Sequence, residues 1–204
     1  MENYEDKQLE ELLNFKHDNK AWYWIGMAYF EYNDFVNAAQ WLEKTMNDPN
    51  NEWAGKAAQN LGIIHEGYCL PNSSKDEALR LYEKSKHLLV SKLNAGFLYL
   101  NGTESGNIDR EKGKKYIEEV IERLMTKDEN DNYLSQIECY KIGVMYEQET
   151  VWSLSQNDYE KTLKYRYKAI EYYQKAIDRC ILNDGSENQL IQNANAAIEA
   201  LRGY

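Results

Sequence analysis

The sequence predicts an all-α protein, built as about four helical hairpins in series and closed at each end by a capping helix. Three observations predict it. Only two prolines and eleven glycines punctuate 204 residues, and runs of alternating Thr, Val and Ile are scarce, which leaves little material for turns and strands. Apolar residues recur at spacings of three and four, as in Leu9, Leu12, Leu13 and in Ile117, Val120, Ile121, Leu124; this is the period of a helix with one buried stripe. A glycine-centred pattern also returns four times, which marks repeated units.

The elements follow in order. Residues 3–17 read as an acidic amphipathic helix. The first repeated pattern is Trp24-Ile25-Gly26-Met27-Ala28-Tyr29, matched by Asn60-Leu61-Gly62-Ile63-Ile64-His65, Asn94-Ala95-Gly96-Phe97-Leu98-Tyr99 and Lys141-Ile142-Gly143-Val144-Met145-Tyr146. Glycine inside a helix costs about 1 kcal/mol against alanine, so four at equivalent places imply close helix contacts where a side chain would collide. Downstream of each comes a second pattern of small, large and small or apolar residues at helical spacing. It reads Ala38, Leu42, Thr45; Ala78, Tyr82, Ser85; Gly113, Ile117, Val120; and Ala169, Tyr173, Ala176. Each unit is thus expected to be a hairpin whose first helix carries the glycine and whose second carries the stripe.

The distance from glycine to stripe grows as 12, 16, 17 and 26 residues. A tight turn is expected at Glu31 to Asp34. Longer loops are expected at Pro71-Asn72-Ser73-Ser74, at Gly102 to Asn107 and at Ser153 to Asp158, all rich in turn formers. In the last unit much of the extra length is expected to lengthen the helices. Asp184-Gly185 then reads as a stop and Ser186 to Leu201 as the closing helix. One domain over residues 1–204 is expected. It comprises a cap at 1–18, repeats at 19–50, 51–87, 88–127 and 128–182, and a second cap at 183–204.

Trp22, Ile25, Gly26, Tyr29, Ala38 and Leu42, with Pro49 near the end of its unit, resemble a tetratricopeptide repeat. Repeats two to four, with longer loops and segments such as AGFLYLNG and DEALRLYEKS, are similar to Sel-one-like repeats. The resemblance covers about residues 20 to 180 and departs from the pattern at His65, Gly67 and Gly113. It implies a right-handed α-solenoid in which the first helix of every hairpin faces a concave groove. The implied contact positions are Tyr23, Met27, Phe30 and Glu31; Gln59, Ile63 and Glu66; Leu93, Phe97, Leu100 and Asn101; and Tyr140, Val144, Glu147 and Gln148. Similar bacterial proteins act as adaptors, regulators or toxin-neutralising immunity proteins.

The residues themselves point the same way. Aromatic side chains make up 13% of the chain. Trp22, Tyr23, Trp24, Met27, Tyr29, Phe30 and Tyr32 surround every side of one helix, so some are expected at the surface, as in protein-binding faces. The net charge of −10 argues against nucleic acid or anionic membrane as the main partner. Residues 1–60 and 127–160 each carry a net −6, which favours a basic protein partner, while 161–180 carry +4. The run Lys161, Lys164, Arg166, Lys168 reads as a solvated helix face. An alternative is an acidic mimic of nucleic acid that blocks a nuclease or DNA-binding protein.

Signatures of chemistry are missing from the sequence. It has no phosphate-cradling glycine loop, HExxH helix, CxxC pair or nucleophile elbow, so a non-enzymatic protein without cofactor or metal is expected. Of three histidines, His65 occupies the slot of a buried, hydrogen-bonded ring and His17 and His87 read as solvated. A hydrolase centred on His65 and Glu66 is the remaining catalytic reading. Cys69, Cys139 and Cys180 are widely spaced and read as free thiols. The acidic start has no apolar stretch behind a basic segment, and the sequons at Asn72 and Asn101 matter only in a secreted protein, so a cytoplasmic location is expected.

Overall fold

Every regular element among the described residues is helical. The computed structural model describes residues 4–125, 135–183 and 189–203. They form two compact units, Met1–Arg123 and Leu124–Tyr204. In chain order the first unit has α1 (Leu9–Leu12) with a 3-10 turn over Leu13–Phe15, α2 (Trp22–Glu31), α3 (Phe35–Met46), α4 (Ala54–Glu66), α5 (Lys75–Lys84), α6 (Leu89–Asn101) and all but the last two residues of α7 (Arg110–Met125). The second has α8 (Gln136–Ser155), α9 (Tyr159–Asn183) and α10 (Gln189–Arg202). No described helix is both long and apolar enough to cross a membrane.

Sequential packing follows the hairpin pattern. In the first unit α2 packs on α3, α3 on α4, α4 on α5 and α5 on α6, and in the second α8 lies along α9. The repeated glycines are where paired helices meet. A Cβ at Gly62 would fall 2.5 Å from the Tyr82 ring, and one at Gly143 would fall 2.7 Å from the Tyr173 ring. The same position is taken by Leu42 against Gly26 and by Ile117 against Gly96. The large residue of each stripe therefore seats on the glycine of its own hairpin. Leu42, Tyr82, Ile117 and Tyr173 are fully buried.

The turns use the expected residues. Asn33 takes a positive φ of 60°, and Asp34 then caps α3 by accepting from Asn37 N at 3.2 Å. Ser74 caps α5 through Glu77 N at 3.1 Å. The loop after α6 turns on Gly102 and Gly106, at φ 84° and 79°, and folds back on α5. Its Glu104 accepts from Lys75 N at 2.8 Å and Asp76 N at 3.3 Å, while Asp76 accepts from Ser105 N at 2.9 Å.

Glu83 joins three helices by accepting from Tyr99 Oη at 2.8 Å and Tyr116 Oη at 3.1 Å and pairing with Lys112 Nζ at 2.9 Å. Burial acts to raise its pKa, but bonds from Lys112, Lys86, Tyr99 and Tyr116 outweigh this and hold it at about 2.

Two boundaries differ from expectation. The helix expected over 3–17 is only the four residues of α1 and its 3-10 turn, because Tyr4 turns into the core. Tyr4 packs edge-on against Phe15 with centroids 5.4 Å apart and donates to Asp18 Oδ2 at 2.7 Å, so the chain before Leu9 cannot be helical as well. In the last hairpin the extra length does enter the helices, of 20 and 25 residues. Ser153 to Ser155, expected in a loop, instead close α8, and the turn shrinks to 156–158. The stop at Asp184-Gly185 and the cap at Ser186 lie outside the described residues.

Candidate partner-binding face

The implied contact residues on α2 sit where an apolar helix leaves the hairpin core. Tyr23, Ile25, Gly26 and Ala28 are buried, so Tyr23, read as outward, belongs to the core, and Met27, Phe30 and Glu31 are left on the more accessible faces. Tyr23, Met27 and Glu31 line one cleft of about 250 Å³ with Trp24 and Ala28, facing Tyr4, Glu5, Lys7 and Leu12 of the N-terminal segment. Phe30 is not part of it and packs edge-on against Phe35 at 5.5 Å.

Tyr23 forms the floor of this cleft. It is 7% exposed, stacks on Trp53 with centroids 5.1 Å apart and accepts from Asn60 Nδ2 at 3.1 Å. Burial raises its pKa, with the Asn60 bond opposing. The same amide lies 3.0 Å from Met27 Sδ, so α4 fixes both side chains. Glu31 is exposed, with no cation paired to it among the described residues. Lys7 is engaged by Glu11 and lies over the Phe15 ring at 5.4 Å. The N-terminal contributors escaped the sequence reading, which made that segment a plain helical cap. The sole signal was a bulky ring, Tyr4, in an otherwise acidic stretch.

The remaining positions divide by accessibility. Gln59 and Ile63 are half-buried; Gln59 accepts from Ser91 Oγ at 3.3 Å, and Ile63 packs on the core around Ala78 and Tyr82. Leu93 and Phe97, read as outward, are 0% and 6% exposed. The reason is legible in α6: residues 93–98 are buried without interruption, and a helix apolar on every side is an interior helix. Leu100 is half-buried against Gly113, and Asn101 is exposed.

In the second unit Tyr140 lies 5.4 Å from the Tyr173 ring, Val144 is half-buried and Gln148 is exposed. Glu66 and Glu147 serve their own hairpins: Tyr82 Oη donates to Glu66 at 2.7 Å, and Tyr173 Oη donates to Glu147. Each carboxylate lies four residues after its glycine, one helical turn on, where the seated tyrosine's hydroxyl emerges. Burial raises the pKa of both tyrosines.

His65 is buried, as read, but its Nδ1 has no hydrogen-bond partner. The reading of it as a satisfied core histidine is corrected accordingly. Its sequence neighbour Glu66 accepts from Tyr82. His17 and His87 are exposed, Cys139 and Cys180 are buried, and none of the three cysteines is in a disulfide. Among the described residues no three His, Cys, Asp or Glu side chains gather as a metal site would require. Comparison with known proteins returns nothing: no family model, no curated protein and no solved structure matches the chain.

Proposed function

We propose that the chain is a non-enzymatic, tetratricopeptide- or Sel-one-like right-handed α-solenoid that binds a basic polypeptide on the face carried by the first helices of its hairpins. The recurrent glycine-and-stripe hairpins support the repeat reading. The observation that carries the binding reading is the cleft on α2, lined by Tyr23, Trp24, Met27 and the exposed Glu31 together with Glu5 and Lys7 of the N-terminal segment. A lysine or arginine side chain suits it: the aliphatic stem covers Met27, the cation meets an aromatic face, and the head reaches Glu31. The net charge of −10 would speed capture of such a partner and make the rate fall with salt. A cytoplasmic adaptor or toxin-neutralising role is consistent with this surface.

The test compares affinity capture by the intact chain with capture by a Met27→Asp, Glu31→Lys variant, both melted first to establish folding. A basic protein retained by the first, released by salt and lost from the second supports the proposal. Equal retention by both removes the cleft from the account. If that retained protein binds nucleic acid, the result favours the acidic-mimic alternative.

A further inference from the structure

Helix α9 turns one face to its own hairpin and leaves another bare. Ala169, Tyr173, Ala176 and Cys180 recur at helical spacing and are buried, and Thr162 Oγ1 donates to Ser153 Oγ of α8 at 3.1 Å. Tyr159, Leu163 and Tyr167 follow one another at four-residue steps on a different face, and they are 64%, 46% and 65% exposed. A helix turns about 100° per residue, so the three span about 80° and form one strip. Single exposed apolar side chains are ordinary, whereas a contiguous strip of large ones marks a contact surface.

The charges beside the strip say what covers it. Glu160 and Lys164 border one edge, a turn apart, and Arg166 borders the other. Lys161 and Lys175 of the same helix pair with Asp158 and Glu171, but Glu160, Lys164 and Arg166 have no ion-pair partner among the described residues.

Two copies of this strip match when laid antiparallel across a two-fold axis at Leu163. Leu163 then meets its own counterpart, and Tyr159 of each copy comes level with Tyr167 of the other. An antiparallel pair brings like edges together. Glu160 of each copy therefore stands beside Lys164 of the other, and Arg166 beside the other copy's Tyr159 ring, a cation over an aromatic face. A parallel pair brings unlike edges together and would set Lys164 against Arg166, which repel.

We propose that α9 is a homodimer surface: a second copy of the chain docks antiparallel along Tyr159, Leu163 and Tyr167, in a register set by reciprocal Glu160 and Lys164 pairs. The surface lies on the second helix of its hairpin and shares no residue with the proposed polypeptide-binding cleft on α2, so either can fail without the other. Three large side chains per copy fall short of the roughly 800 Å² per partner of a standard interface, so the dimer is expected to be weak, with Kd on the order of 10⁻⁵ M.

Sedimentation equilibrium of the intact chain from about 1 to 500 μM brackets that affinity, with every variant melted first to establish folding. The mass is expected to rise with concentration from one chain to two. Leu163→Asp, at an exposed position, should stay monomeric throughout. Glu160→Lys and Lys164→Glu should each weaken association about tenfold, because each alone sets like charges across the two-fold axis. An equimolar mixture of these two variants should recover the wild-type affinity, because the mixed pair is again opposite in charge at both contacts. A wild-type chain that stays monomeric at the highest concentration overturns the proposal. A dimer that survives Leu163→Asp places the contact on another face, and a mixture that associates no more tightly than either charge variant alone removes the antiparallel register; each overturns it as well.

Discussion

Gly62 and Gly143 show what a single hydrogen in place of a methyl can decide. With the Tyr82 and Tyr173 rings lying 2.5 and 2.7 Å from where a Cβ would sit, alanine must push a buried ring out of place. Overpacking of this kind costs about 1–3 kcal/mol, against a gain of at most about 1 kcal/mol in helix propensity. Gly62→Ala is therefore expected to lower Tm, although the same change at an unobstructed helix site would raise it; a thermal melt checks this. His65 sets a second expectation, concerning pH. Its folded-state pKa lies below the ordinary value of 6.5. As pH falls below that value the unfolded chain takes up a proton that the folded chain refuses, so stability declines until the folded pKa is passed. Glu43, Glu77 and Arg80 act on the ring, and the first two limit the decline. Denaturant unfolding across this range should show a slope that His65→Leu removes. Glu83 acts lower down: its contribution is present above the ordinary carboxylate value and is lost as pH falls towards about 2. The glycines were legible in the sequence because a helix tolerates them four times only for a reason. The bare nitrogen of His65 was not, since only neighbours from three helices decide whether a ring finds a partner.

Among the elements, the N-terminus of α5 is finished by a loop that lies 29 residues further along the chain. Glu104 accepts the amides of Lys75 and Asp76, and Asp76 in turn accepts the amide of Ser105. The first turn of a helix leaves its amides unpaired unless something outside supplies acceptors, so the expanded loop acts as a clamp on the preceding hairpin. Glu104→Ala is expected to speed hydrogen exchange at Lys75 and Asp76 and to leave the amides in the middle of α4 unchanged; uniform acceleration would mean the loop supports the whole unit instead. The hairpins could be read from spacing because their contacts are local. The N-terminal segment could not, because its conformation follows from where Tyr4 finds a core, against Phe15, and from its bond to Asp18. The implied contact positions fared unevenly for the same reason. Met27 and Glu31 reach a cleft that the buried Tyr23 also lines, whereas Leu93 and Phe97 lie on a helix that is interior on those faces. A position within a repeat fixes which way a residue points relative to its own hairpin, and the next layer of chain decides whether that direction ends in solvent.

For the molecule as a whole, acidic charge and an aromatic cleft together define the proposed activity, and neither suffices alone. The charge acts at a distance and is screened within about 8 Å at physiological salt, so it governs encounter. The cleft governs how long the partner stays, because buried aromatic anchors dominate residence. Raised salt should accordingly slow association far more than it quickens dissociation, which stopped-flow mixing with the captured partner separates. The most direct measurement of the central claim is photocrosslinking from a benzoylphenylalanine placed in the intact chain, at Met27 in one protein and at exposed Lys84 in another. Covalent capture of a basic polypeptide from Met27 and none from Lys84 is the predicted result. Equal capture from both positions, or capture from Lys84 alone, would contradict recognition through the first helices of the hairpins.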